Sequence, residues 1–283
     1  MSLSIHDHDR RTSGFHYVYA VLGRRARGVS IGVNLNTNSA CNWRCVYCEI
    51  PDLTFGNAPD CDLALLEREL RALLEEVVHG DWMQRHVEDP SWRVLRDVSI
   101  SGNGESTSCP QFPEVVALIG RVLQEFALAD RVQLVLITNG SLVHKPHVQR
   151  GLAELARLGG VVWFKLDSAT EEGTARINSA RHGLDRTRAN LVLAANACAT
   201  WIQTLAFAWR GQPPSREECD AYVAFLRGLV DEGVPLRGVH LYGLARPSYQ
   251  REAPELSRLP RESMEACARR IEAETRLPVQ VSV

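Results

Sequence analysis

The chain has 283 residues, 45% apolar and 23% charged, the make-up of a folded protein with a sizeable core and not of a disordered or fibrous chain. A formal charge of −2 and a pI near 6.5 lack the basic stripe that nucleic-acid binding demands, which makes RNA a minority reading. The opening MSLSIHDHDRR is polar where a secretion signal is apolar, so the eight cysteines are expected to be reduced, in a cytoplasmic protein.

Residues 1–28 read as an N-terminal extension, with His6 and His8 in its tail. VSIGVNLN (29–36) reads as a buried strand running into a cysteine-rich loop, and DLALLERELRALLEEVV (62–78) as a helix with Asp62 as N-cap. DWMQRHVEDPSW (81–92) looks like an insertion. RDVSISG (96–102) is a predicted strand and FPEVVALIGRVLQEF (112–126) a helix. RVQLVLITNG (131–140) is then strand, HVQRGLAELARLG (147–159) helix, VVWFKLD (161–167) strand and LDRTRANLVLAAN (184–196) helix.

WIQTLAFA (201–208) and LRGVHLYGL (236–244) complete six strands, separated by a helix over 216–233. A last helix over 261–276 precedes a short apolar tail. The most membrane-like run, 191–209, is broken by Asn196, Thr200, Gln203 and Thr204. It divides into a helix end and a strand, so no membrane span is expected.

Strands alternating with helices imply a parallel sheet built from right-handed crossovers, because parallel neighbours need a long connection. The predicted fold is α/β, an open partial (β/α)6 barrel over 29–245. Residues 246–283 form a C-terminal helix and short strand packed on the barrel. In such folds functional residues gather at the C-terminal ends of the strands. That edge collects Cys41, Cys45 and Cys48 after the first strand and Gly102, Asn103, Gly104 and Glu105 after the second. Thr138 and Asn139 follow on the third, Lys165, Asp167 and Ser168 on the fourth, Gln203 on the fifth, and His240 and Tyr242 on the sixth.

CNWRCVYC (41–48) has the spacing Cys-x3-Cys-x2-Cys. Three thiolates can hold three irons of a cubane while the fourth iron accepts an outside ligand; a closed zinc site would need a fourth, distant ligand. Tyr47 can cover the cluster or stack on a ligand. Lys165 and Asp167 alternate onto one face of their strand, where a buried ion pair competes with contact to a substrate. Arg246 can grip a phosphate or carboxylate, or lie on the surface. Cys109 is a small hydrophobe at a helix start or a thiol hydrogen donor. Cys61, Cys198, Cys219 and Cys267 read as structural.

The cysteine loop, with SGNGES (101–106), ITNGSL (137–142), FKLD (164–167), IQT (202–204) and LARP (244–247), resembles the radical S-adenosylmethionine (SAM) superfamily. The resemblance runs from about Ser30 to the C-terminus and is nearest to the wyosine-type, tRNA-modifying subgroup and its bacterial relatives. It implies a [4Fe-4S] cluster on Cys41, Cys45 and Cys48, with SAM chelating the free iron and its amino group held at Gly102–Glu105. It also implies reductive cleavage of SAM to a 5′-deoxyadenosyl radical, with flavodoxin or ferredoxin as electron donor.

Two positions depart from the subgroup's pattern. No cysteine precedes Cys41, where archaeal and eukaryotic members carry a second cluster set, and Ser106 stands where proline is usual. The radical-forming half therefore transfers and the tRNA substrate does not. The expected target is a small metabolite or natural-product intermediate, with RNA, a partner protein, and a zinc-stabilised binding module as the alternatives in that order. An RNA target would call for a basic surface near Arg24, Arg25 and Arg27.

Overall fold

The computed structural model describes residues 14–23 and 27–283. His6, His8, Arg24 and Arg25 lie outside the described residues. The chain divides into two compact units, one made of 1–41, 56–137 and 145–161, the other of 42–55, 138–144 and 162–283.

In the first unit, β1 (Val18–Gly23) pairs antiparallel with β2 (Gly28–Val33), which runs parallel to β3 (Leu95–Ile100), and β3 parallel to β4 (Gln133–Thr138). β2 is buried along its whole length, as expected of a strand covered on both faces. Helix α1 (Leu63–Val78) begins where Asp62 accepts the Leu65 N–H at 2.9 Å. It buries Leu66, Leu70, Leu73, Leu74 and Val77, while Glu69, on the same face, takes the backbone N–H groups of His16 and Tyr17 at 2.8 and 2.7 Å. α2 (Phe112–Glu125) packs on α3 (Pro146–Arg157) through Gly151, where a Cβ would lie 2.3 Å from the Phe112 ring.

In the second unit, β5 (Val161–Lys165), β6 (Ala199–Ala206), β7 (Leu236–Gly243) and β8 (Val279–Ser282) follow in that order, with β6, β7 and β8 parallel. The unit's helices are α4 (Glu171–Asn178), α5 (Leu184–Ala197), α6 (Arg216–Asp231) and α7 (Arg261–Thr275). Met264 and Ala268 of α7 close a small core against Ala206 and Leu241.

The six predicted strands are β2 to β7. The sheet has eight strands, because β1 adds an antiparallel edge and the apolar tail adds β8. β1 lies in the extension that gave no periodic signal, and its pairing supplies what its own sequence does not. The 81–92 insertion holds a short helix, Trp82–His86, and a 3₁₀ turn, Pro90–Trp92. Among the described residues, no helix is long and apolar enough to cross a membrane.

Candidate active site

The first unit contains a glycine-rich turn after β3. A Cβ on Gly102 would lie 2.1 Å from the Asn34 amide oxygen, and one on Gly104 would lie 2.0 Å from the Ala40 carbonyl oxygen. Both positions therefore need glycine for close backbone approach. Asn34 accepts the N–H groups of Asn36 and Asn103 at 3.1 and 2.9 Å, and Asn36 donates to the Ala40 carbonyl at 2.8 Å. The turn is thus fitted to the segment that leads into Cys41. Glu105 is buried, and its carboxylate accepts the Thr107 N–H at 3.2 Å and hydroxyl at 2.5 Å, capping the turn Ser106–Ser108.

The second unit holds the rest of the cysteine loop from several sides. Loose carbonyls at the C-terminal end of a helix need donors. Here Ile177 and Asn178, the last residues of α4, receive the N–H groups of Val46 and Arg44 at 2.8 and 3.1 Å. The Ser248 hydroxyl donates to the Val46 and Cys48 carbonyls at 2.8 and 3.1 Å, and the Tyr249 N–H to the Cys48 carbonyl at 2.9 Å. Arg44 meets Glu252 through two 2.8 Å bonds, and Arg246 meets Glu49 at 2.6 Å. Arg246 therefore pairs with a carboxylate of the loop itself. Asn42 is tied to the turn after β4: Asn139 donates to it at 2.8 Å, it donates to Ser141 at 2.7 Å, and Thr138 accepts the Gly140 N–H at 2.9 Å.

Around Cys45 the polar groups form one connected set. Asp167 accepts from the Tyr47 hydroxyl, from the Asn178 amide at 2.7 Å and from the Leu205 N–H at 2.9 Å. The same Asn178 amide nitrogen lies 3.2 Å from the Cys45 sulfur. Lys165 does not pair directly with Asp167. Its ammonium lies 4.9 Å from the centre of the Tyr47 ring and donates to the Tyr242 hydroxyl at 3.3 Å.

Burial opposes the Lys165 charge, yet Tyr242, Asp167 and Cys45 outweigh it and hold this amine above the ordinary lysine range. Burial pushes the Cys45 thiol up to about 11, against the pull of Lys165. Burial, and then Asp167, raise Tyr47 well above the usual phenol.

Gln203, His240 and Tyr242 share a face with Lys165, as alternation and the register of Gln203 beside His240 require. His240 stacks on Trp201 (centroids 4.6 Å, 18°) and meets Trp163 edge-on at 4.9 Å. Gly238 leaves room for the indole, since a Cβ there would lie 2.4 Å from Trp201. Thr204 is on the opposite face, bonded to the Leu166 carbonyl at 2.8 Å and to Tyr222 of α6 at 2.6 Å. Ser168 accepts the Thr170 N–H at 3.2 Å and borders the start of α4. Cys109 is fully buried at the start of α2, its sulfur 3.5 Å from Gln111, as a small hydrophobe would be.

None of the eight cysteines is joined in a disulfide, and Cys41, Cys45 and Cys48 are half-buried. Among the described residues, no three His, Cys, Asp or Glu side chains gather as ligands of one metal ion. A cubane, whose three thiolates bind three different irons, asks for wider spacing. The donor types fit a cluster: three cysteine thiols at the spacing Cys-x3-Cys-x2-Cys, with Cys45 and Cys48 on a fastened backbone and the Lys165 ammonium acting on Cys45.

The sequence reading missed Asn34, Asn36, Asn42, Asn178, Ser248 and Glu252. The asparagines of NLNTNSACN (34–42) carried a signal for side-chain-to-backbone turns. The others carried none.

No protein-family profile matches the chain. Among solved structures it is similar to TYW1 with a lysine-pyruvate adduct bound (TM-score 0.58, 14% identity, 88% of this chain and 74% of that one). It is similar also to a radical SAM methyltransferase from Sphaerobacter thermophilus (TM-score 0.60, 15% identity, 90% and 66%). A third likeness is Streptococcus suis SuiB bound to its precursor peptide SuiA (TM-score 0.55, 12% identity, 86% and 46%). The chain has the fold of the radical SAM enzymes, an open partial barrel. In sequence it is 28% identical over 162 residues to proteins of Helicobacter pylori strains 26695 and J99, each named UPF0026 protein. The match takes in 56% of this chain and spans less than half, 44%, of the length of those relatives.

Proposed function

We propose that the chain is a radical SAM enzyme that holds a [4Fe-4S] cluster on Cys41, Cys45 and Cys48, binds SAM at Gly102–Glu105, and modifies a small metabolite by hydrogen abstraction. The observation that carries this reading is the fastening of the cysteine loop: the N–H groups of Arg44 and Val46 and the carbonyl of Cys48 are all bonded, so the thiols project from a fixed backbone. When bound, the cluster supplies the low-potential electron that cleaves SAM to methionine and a 5′-deoxyadenosyl radical.

The chain's own residues do the rest. Lys165 offsets negative charge beside Cys45, and Gly102 and Gly104 keep the turn close enough for the Glu105 carboxylate to meet an ammonium group. Thr138, Asn139 and Ser168 brace the neighbouring turns. Trp163, Trp201, His240, Gln203 and Tyr242 offer flat apolar surface with a few polar groups, which suits a small molecule. Flavodoxin or ferredoxin is the expected reductant.

Anaerobic reconstitution followed by iron and sulfide analysis, with 5′-deoxyadenosine measured under dithionite, tests the chemistry. Wild type should bind one cluster and release 5′-deoxyadenosine, and Cys45→Ala should do neither; stoichiometric zinc without iron would sink the reading. Deuterium uptake into 5′-deoxyadenosine from labelled cell fractions tests the target, and signal confined to the tRNA fraction would replace the metabolite with RNA.

A further inference from the structure

The end of α4 reaches the cysteine loop with a side chain as well as with its carbonyls. Asn178 is buried, and its amide nitrogen has two hydrogens to place. One goes to Asp167 at 2.7 Å, and Asp167 is itself held by the Leu205 N–H at 2.9 Å and by Tyr47. That contact fixes the plane of the amide, and the second hydrogen then points at the Cys45 sulfur, 3.2 Å away. The backbone agrees, because Arg44 and Val46, on either side of Cys45, donate to the carbonyls of Asn178 and Ile177.

We propose that Asn178 is a positioning residue that tunes the cluster through an N–H···S bond to Cys45, an inference resting on the cluster reading above. A thiolate sulfur carries more negative charge when its cluster is reduced, so a donor aimed at it stabilises the reduced state more and raises the reduction potential. Asn178 thereby makes electron entry easier, while Asp167 and Tyr47 keep its amide from turning away. None of the three touches the reacting atoms in this role.

The test is the cluster's potential, followed by EPR during anaerobic redox titration of reconstituted protein, with iron content measured first. Asn178→Ala should bind iron as wild type does and shift its midpoint negative, by about tenfold in the oxidised-to-reduced ratio at fixed poise, or about 59 mV for one electron. Asn178→Leu, similar in shape and without the N–H, should shift the same way and serves if the alanine variant fails to fold. Ser179→Ala removes the neighbouring contact to the Arg44 carbonyl at 3.2 Å and should leave the midpoint in place. Iron-loaded Asn178 variants with the wild-type midpoint, or an equal shift in Ser179→Ala, would overturn the proposal and leave the cluster reading standing. Wild-type protein that binds no iron would overturn both.

Discussion

Arg44 and Glu252 meet end-on, the two terminal guanidinium nitrogens each 2.8 Å from a different carboxylate oxygen, and so bind the residue before Cys45 to the segment beyond β7. Both side chains are mostly shielded, at 23% and 12% exposure. A forked pair with little water around it is stronger than an ordinary surface ion pair. Glu252→Gln removes the charge and leaves Arg44 without its counter-ion. The expected loss is about 1–3 kcal/mol, read as a fall in Tm of roughly 2–4 °C per kcal/mol. Iron should also leave the variant faster under a chelator.

The same pair makes stability depend on acid. Hydrogen bonding from Arg44 holds the Glu252 carboxyl down to about 2, below its value in an unfolded chain, near 4.3. Its contribution is present in full above the unfolded value and is lost as pH falls through that window. The difference in urea midpoint between wild type and Glu252→Gln should therefore be constant from neutral pH down to about 5 and then shrink. A difference that grows on acidification would contradict this.

Gly104→Ala should disable the turn after β3. The added methyl would lie 2.0 Å from the backbone oxygen of Ala40 and 2.7 Å from the Asn36 amide, and a backbone atom cannot swing away as a side chain can. Overpacking of this kind costs typically about 1–3 kcal/mol. Calorimetric titration with SAM should show binding lost or much weakened while far-UV circular dichroism stays native. Unchanged affinity would remove this turn from the binding site.

Thr204→Val is expected to separate stability from chemistry. Its hydroxyl serves the Leu166 carbonyl and Tyr222, on the face away from Lys165 and Gln203. Removing it leaves both partners buried, at a cost of about 1–3 kcal/mol. Denaturant unfolding should record that loss, and iron content and SAM cleavage per folded molecule should match wild type.

The barrel strands and long helices were legible because their apolar periods are strong and the caps sit where residue types put them, as Asp62 does for α1. α4 was invisible for a physical reason: EEGTARIN spans barely two turns, holds a glycine, and buries only Gly173, Thr174, Ile177 and Asn178. Its start depends on Thr170 accepting the Gly173 N–H, and its end on Ser179 in the left-handed region at φ 52°. The spacing of the cysteines singled out the loop 41–48, but its fastenings are pairs such as Arg44 with Glu252 and Ser248 with Cys48. Such pairs depend on the tertiary path, which no local pattern carries. Strand β5 ends at Lys165, so Asp167 lies just beyond it, and the two side chains take separate partners, Lys165 the Tyr242 hydroxyl and Asp167 the groups of Tyr47, Asn178 and Leu205.

Those fastenings also bear on how the protein is made. Ser248 and Glu252 lie 202 and 208 residues beyond the Val46 carbonyl and the Arg44 guanidinium they hold. At a synthesis rate of about 5–20 residues per second, roughly 10–40 s separate the translation of the cysteines from that of their clasp. During that interval the loop is without its clasp, so a cluster held there as proposed would meet a fastened backbone only after the chain has passed Glu252.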